Sequence, residues 1–371
     1  MLNSAHLHVL RLISTGGPTT RAALGEHLGL SKAAISGLTR ELLDGGYLIE
    51  TDTVQKQGRP SRLLDLRPDG LWFLGVSMVS DPLVLSLVDF KGGIAKSVKI
   101  NRSSDPAELA QMIAAALPDL APPEGEIAGI GVALSGLVDS DQAVCIRSTQ
   151  LGWRDVPLAA LLAKATGLPV FIENDAKALA LREKLFGAAR DASGFTLIWL
   201  GAGIGAAHFV HDRLHRGAHG GAGEVAHVTV DPDGLPCRCG KTGCLDTVAS
   251  LTALIDQAHA DGLAISSLTE IEREAAAGKS AAIRMLHRAG GALGLAIAQI
   301  IQLYDPELVL VTHREDEIDG LLFRTMNQAI EANVLPSLSG VTPIRVQKIE
   351  DTEWAVAAAS VANHSFLNGL L

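Results

Sequence analysis

Three of the four cysteines in this 371-residue chain fall within eight residues, as Cys237-x-Cys239-x4-Cys244. His227 stands upstream of them, across the turn-rich Asp231-Pro-Asp-Gly234. Thiolate and imidazole are the ligands Zn²⁺ prefers, and a Cys₃His set closes a tetrahedral shell with no position left for water. Gly240 and Gly243 relieve the crowding of a backbone that must fold three sulfurs around one ion. Buried free cysteines also serve as small core residues, but tight clustering with interleaved glycines is the pattern of a ligand set. The spacing therefore predicts a structural zinc held by His227, Cys237, Cys239 and Cys244. The remaining cysteine, Cys145, offers no disulfide framework.

Charge separates the chain into two parts. The net charge is −10, which argues against a surface coated by nucleic acid. Residues 1–63 hold seven Lys and Arg against five Asp and Glu, a net +2, so the other 308 residues carry −12. Only the N-terminal segment has the charge to approach DNA. The longest apolar runs fall short of a bilayer span, and the first residues lack a charged segment and a cleavage site of the secretory type. The expectation is a cytoplasmic protein with no membrane partner.

The N-terminal segment reads as a helix-turn-helix with a wing. Leu7, Leu10, Leu12 and Ile13 lie near helical spacing, and Gly16-Gly17-Pro18 stops that helix. Thr19 or Thr20 caps a second helix over 21–28, Gly29 ends it in a left-handed turn, and Ser31 caps a third over 32–43. Leu24, Leu28, Leu30, Ile35 and Leu38 face inward, and the last helix would enter the major groove. Lys32, Ser36, Thr39 and Arg40 are assigned to its outer face as donors to bases or phosphates, with Arg21 and Ser31 beside them. Strands over 47–50 and 61–66 flank a polar tip containing Lys56, Gly58, Arg59 and Pro60.

Several segments carry a resemblance. Gly223-Glu-Val-Ala-His227 followed by Cys-Arg-Cys-Gly-Lys-Thr-Gly-Cys-Leu-Asp (237–246) resembles the signature of the ROK family of sugar kinases and sugar-responsive repressors. Glu173-Asn-Asp175 and the residues after it resemble the family's ENDANA segment. The N-terminal GPTTRAALGEHLGLSKAAIS and Gly58-Arg-Pro60 resemble the DNA-binding part of its repressors, which its kinases lack. The resemblance implies that Asn174, Asp175, Glu224, His227 and Asp246 hold sugar hydroxyls, although members usually have glutamate where this chain has the shorter Asp246. It also implies that Arg59 enters a minor groove, as arginine does at narrow A·T-rich sites. The implied fold is α/β: a winged helix-turn-helix over 1–68, then an actin/hexokinase-like effector domain over 71–371, in two lobes with the zinc motif at 227–244. Strands alternating with helices along 72–366 fit a sheet covered on its faces.

In the family's kinases the aspartate corresponding to Asp175 also takes the proton from the attacking hydroxyl, so Asp175 is the catalytic base if this chain is an enzyme. Phosphoryl transfer needs phosphate loops, a metal and nucleotide contacts as well. Where kinases of the family open with Asp-x-Gly-Gly-Thr-Lys, this chain has Leu74-Gly-Val-Ser-Met-Val-Ser-Asp81. Gly201-Ala-Gly203 replaces Gly-Thr-Gly, and Thr312-His-Arg-Glu-Asp316 replaces the Gly-Gly on which adenine lies. The sequence thus points to a regulator, a repressor released from operator DNA by a sugar or sugar phosphate and acting as a homodimer or dimer of dimers. Two other readings stand beside it: an ATP-dependent sugar kinase with an appended DNA-binding domain, and a zinc-stabilised scaffold without an effector.

Overall fold

The capping residues set the N-terminal helices in the computed structural model, which describes residues 2–54, 61–315 and 320–371. Asn3 caps α1 (Ser4–Gly16), Thr20 caps α2 (Arg21–Leu28) and Ser31 caps α3 (Lys32–Asp44). Between α1 and α2 runs β1 (Thr19–Thr20), and Gly29 takes the left-handed conformation, φ 65°, that closes α2. The strands β2 (Leu48–Val54) and β3 (Ser61–Leu66) pair antiparallel, and β1 adds to β3. Arg59 lies outside the described residues.

The turn at 67–70 changes the architecture without interrupting the packing. Five strands follow the winged helix: β4 (Trp72–Ser77), β5 (Leu83–Asp89), β6 (Ile94–Ile100), then, after α4 (Pro106–Ala116), β7 (Ile127–Leu134), with the fifth further on. Three short strands, β8 (Leu137–Val138), β9 (Cys145–Ser148) and β10 (Trp153–Val156), form a separate small sheet absent from the sequence reading. Next come α5 (Leu158–Thr166), β11 (Val170–Asn174) and α6 (Asp175–Phe186). The large sheet has the order β11-β7-β4-β5-β6. Its alternating residues feed two cores, as pleating requires. Leu74, Val76 and Leu85 join α4 and α5 on one face, and Phe73, Val88 and Phe90 point to the other.

The second core contains both the sheet and the winged helix. Val9, Leu10 and Ile13 of α1 share it with Leu185 of α6, Phe73 and Phe90. Pro68 O accepts from Phe90 N at 2.9 Å, and Lys91 pairs with Asp65. Contacts accordingly divide the chain into two compact units elsewhere: one holds Met1–Asp191, Ala218–Gly220 and Asp351–Leu371, the other Ala192–Gly217 and Gly221–Glu350.

In the second unit β12 (Phe195–Leu200), β13 (Ile204–Val210) and β14 (Arg213–Leu214) precede the cysteine segment. After it come α7 (Asp246–Ala249), α8 (Leu251–Ala260), α9 (Leu268–Ala276), α10 (Ser280–Tyr304), β15 (Leu308–His313), α11 (Leu321–Asn333) and β16 (Ile344–Lys348). The sheet order is β14-β13-β12-β15-β16. Helix α12 (Glu353–Leu367) returns to the first unit and lies on β4 and β7. No helix among the described residues is long and apolar enough to cross a membrane.

Candidate functional site

The cysteine segment folds as a hairpin whose turns need glycine. Gly243 has φ +69°, and a Cβ there would lie 1.5 Å from Asp231 O, so nothing larger fits. Cys237 N donates to Lys241 O at 2.7 Å, Gly240 N to Cys237 O at 2.9 Å, and Lys241 Nζ to His227 O at 2.8 Å. The result brings the ligand atoms of His227, Cys237, Cys239 and Cys244 within 4.8 Å of one another, a cluster able to hold a metal ion. Cys239 Sγ is 3.6 Å from Cys244 Sγ, and Cys237 Sγ is 3.6 Å from His227 Nδ1. Metal–sulfur bonds of about 2.3 Å imply a tetrahedral S···S edge of about 3.8 Å, so these spacings fit zinc without rearrangement. Burial, with the neighbouring sulfurs, pushes the Cys244 thiol up to about 12. A cation in the cluster reverses that preference by stabilising thiolate.

The same segment positions the candidate sugar residues of the second unit. A single 3₁₀ turn (Val225–His227) turns His227 so that Nδ1 faces Cys237 and Nε2 lies 4.0 Å from Glu224 Oε2. One ring nitrogen is thus available to a metal and the other to a ligand. Asp246 is buried, and both its oxygens are engaged: Oδ1 accepts from Ile204 N at 3.1 Å, and Oδ2 meets Arg238 Nη2 at 3.3 Å. Arg238 also lies against the glycine loop, since a Cβ at Gly203 would be 2.5 Å from its Nη2. A cavity of about 740 Å³ opens beside Arg238, lined also by Ala202, Leu254 and Met285. Sequence reasoning passed over Arg238 because an arginine between two cysteines reads as a solvated spacer.

In the first unit Asn174 is the N-cap of α6, accepting from Lys177 N at 3.3 Å and donating Nδ2 to Gly136 O at 3.1 Å. The amide is thus held in place from both ends, by its cap bond and by Gly136. Asp175 opens the helix and is half-buried, as is Asn174. Lys177, one turn on, is fully buried, and its Nζ donates to Gly220 O at 2.5 Å.

The DNA-binding candidates divide. Lys32 and Arg40 are exposed on α3, Ser36 is half-buried, and Ser31 is exposed while its hydroxyl accepts from Ala34 N at 3.3 Å. Thr39 corrects the sequence reading: it is fully buried, on the inner stripe with Ile35 and Leu42, and cannot face a groove. Its hydroxyl donates to Ile35 O at 2.8 Å and accepts from Arg21 Nε at 3.1 Å, which offsets the cost of burying it. Arg21 is correspondingly committed, pairing with Glu50 at 2.8 Å, and Arg62 reaches the same carboxylate at 2.8 Å. These two guanidinium groups, Arg21 first, hold Glu50 below the usual carboxylate range. Arg62, Lys32, Ser36 and Arg21 line a cavity of about 870 Å³ along α2 and α3.

Around the glycine loop of the second unit and the end of β15, side chains of the chain pack closely. The Trp199 indole covers Gly201, where a Cβ would be 2.5 Å from Nε1, and Arg314 lies over that ring at 5.8 Å. Glu315 accepts from Thr269 Oγ1 at 2.8 Å, and Thr312 Oγ1 donates to Ile198 O at 3.0 Å. Burial pushes the His313 imidazole down to about 4, against the opposing pull of Glu315 and with Lys348 adding to the fall. An unfolded imidazole titrates near about 6.5. The folded state therefore binds fewer protons between these values, and the stability His313 contributes is present above about pH 6.5 and lost as pH falls towards 4. Thermal melts of wild type and His313→Leu across this range are expected to show the shallower acid loss in the variant.

The profile of the ROK family matches residues 73–365, most of the chain. The chain belongs to the ROK family. A MarR family profile matches residues 2–59, the winged helix ahead of the ROK domain. The crystal structure of a ROK family transcriptional regulator, homolog of the E. coli MLC protein, superposes with a TM-score of 0.83 at 30% identity, over 98% of this chain and 96% of that one. The xylose repressor of Bacillus subtilis (strain 168) is 26% identical over 97% of this chain and 95% of its own. A glucokinase of Halalkalibacterium halodurans is 29% identical, but over 74% of this chain and 90% of its own. The two relatives similar over nearly the full length are a transcriptional regulator and a repressor, and the similarity to the glucokinase covers a smaller share of the chain.

Proposed function

We propose that the chain is a sugar-responsive DNA-binding transcriptional regulator, a repressor whose kinase-derived domain binds a sugar or sugar phosphate as effector. The observation that carries this reading is the pairing of a MarR-type winged helix with a ROK domain in one chain, an arrangement shared over nearly the full length with a ROK transcriptional regulator. Asn174, Asp175, Glu224, His227 and Asp246 are the proposed sugar contacts. Asp246 takes part once its carboxylate leaves Arg238, an exchange open to an exposed guanidinium. Zinc is the proposed metal, held by His227, Cys237, Cys239 and Cys244; when bound it supplies structure, because four protein ligands leave it no position for a substrate. The cysteines carry no disulfide, which suits the cytoplasm. Lys32 and Arg40 are the exposed cations of α3, Ser31 and Ser36 add hydroxyls, and the sequence assigns Arg59, outside the described residues, to the wing. So few cations make one winged helix a weak binder, and a symmetric dimer on a palindrome is the expected assembly.

The test uses a duplex selected from random sequence by the protein and a panel of monosaccharides and their phosphates. One sugar should weaken DNA binding by about 5–150-fold, the range of ordinary allosteric coupling. Sugar-dependent ATP turnover should stay far below the roughly 1–100 per second of kinases. Asp175→Asn should then change sugar affinity without abolishing a reaction. Robust phosphorylation of a monosaccharide, lost in Asp175→Asn, would establish the kinase reading instead.

A further inference from the structure

We propose that Arg190 is a positioning residue that connects the sugar-binding helix α6 to the DNA-binding domain, and that sugar acts on DNA affinity through it. The inference rests on the sugar-responsive reading above. Its first support is the shape of α6. The helix begins at the proposed sugar contacts Asn174 and Asp175 and runs twelve residues, about 18 Å at 1.5 Å per residue. Nine of those twelve residues are buried, charged ones included. A helix gripped on every side does not relax locally when its first turn is displaced; it shifts as a body.

The far end of α6 meets the winged helix. Leu185 packs in one core with Val9, Leu10 and Ile13 of α1, and the Phe186 ring lies against Gly92, where a Cβ would come within 2.8 Å. The turn after the helix is tied back onto it: Gly187 N and Ala189 N donate to Glu183 O at 3.1 and 3.2 Å, and Ala188 N to Glu183 Oε2 at 2.9 Å. Lys184 Nζ then holds Arg190 O at 3.1 Å. Arg190 Nη2 completes the connection by donating to Ser14 O, in the last turn of α1, at 2.8 Å.

A guanidinium on an open carbonyl at a helix C-terminus is electrostatically favourable and directional. Downstream of that carbonyl, Gly17 ends α1 with φ +76° and the chain enters β1 and α2 within four residues. A shift of the last turn of α1 therefore reaches the helix-turn-helix without an intervening loop. Arg190 Nε and Ser14 Oγ at this junction are buried and have no partner, so the arrangement leaves bonding capacity that a second arrangement can use. The chain also leaves the first unit between Asp191 and Ala192, one residue after Arg190. Both a displacement of α6 and a change in the path of the chain at that crossing bear on the same side chain.

The experiment measures affinity for the selected duplex with and without the releasing sugar of the panel, and affinity of the free protein for that sugar. In wild type the release ratio should be about 5–150-fold. In Arg190→Ala it should fall below about twofold while sugar affinity of free protein changes by less than about twofold, and Arg190→Lys, which keeps one donor for Ser14 O, should lie between. A variant that melts earlier yet keeps the wild-type ratio would reduce Arg190 to a structural role and overturn the proposal. If Arg190→Ala does not fold, Arg190→Lys decides alone: an undiminished ratio overturns the proposal, a diminished one supports it. If no sugar of the panel releases wild type, the proposed function itself fails and this inference goes with it.

Discussion

Replacing Cys239 by serine is expected to empty the metal centre and unfold the hairpin around it. Short-range bonds hold that hairpin otherwise, among them Val230 N to Gly243 O, Gly243 N to Leu235 O, Cys237 N to Lys241 O and Gly240 N to Cys237 O, at 2.7 to 2.9 Å. One arm carries Leu235, 55% exposed, so burial of apolar surface does little there. Structural zinc sites in small peptides contribute about 10–16 kcal/mol at neutral pH, and even a part of that makes the metal the principal stabiliser of the segment. The loss should spread, because Leu245 N bonds to Val228 O at 2.9 Å and Asp246 follows directly. Elemental analysis of Cys239→Ser should show metal well below one per chain, and the melting temperature should drop by about 10 °C or more. Sugar affinity should be lost with it. Cys145→Ser, at a buried thiol outside the cluster, is the control and should retain full metal.

Gly131→Val is expected to prevent the first unit from folding. Gly75 on β4 and Gly131 on β7 are register partners, and α12 lies across them. A Cβ at Gly131 would come 1.9 Å from Ala358 O, and one at Gly75 2.1 Å from Ala355 O. Both obstacles are backbone, which cannot rotate away. The helix answers with small residues of its own, Ala355, Ala358, Ala359 and Ala362, all buried. Overpacking commonly costs about 1–3 kcal/mol, and a clash with backbone should exceed the upper figure. Gly129→Ala, two residues earlier on the same strand, meets the flexible Leu371 side chain at 3.3 Å and Pro169 O at 3.4 Å, an ordinary contact, and should be nearly silent. Denaturant midpoints followed by circular dichroism would separate the two variants, and a stable, fully helical Gly131→Val protein would refute the argument.

The sequence was most informative where local chemistry alone decides the structure. Thr20 and Ser31 cap α2 and α3 as their side chains require, Gly29 takes its left-handed turn, and the histidine and three cysteines converge into a cluster able to hold a metal ion. Polarity misled at Thr39, because the stripe Ile35, Thr39, Leu42 is inward by helical period and only the hydroxyl suggested otherwise. Strands β8 to β10 have two to four residues and mixed burial, too short for an alternation to register. The strand β13 was obscured by the glycine loop that precedes it. Long-range complementarity was not legible at all. Nothing local says that Gly75 meets Gly131, that Arg238 lies on Gly203, or that Arg190 reaches Ser14.

The shared core of α1, α6 and the sheet also bears on how such regulators diversify. A DNA reader on a flexible tether can be exchanged for another by recombination in the tether, since neither partner notices. Here a crossover near residue 70 would set a foreign α1 against Phe73, Phe90, Leu185 and Phe366, whose rings meet at 5.8 to 6.2 Å in a fitted triangle of phenylalanines with Leu185 beside it. A chimaera joined there inherits a mismatched interior, whereas one that carries the opposing face along with the reader keeps its fit. New operator specificities in this lineage should therefore arise by substitution on α3 and the wing more readily than by exchange of whole heads.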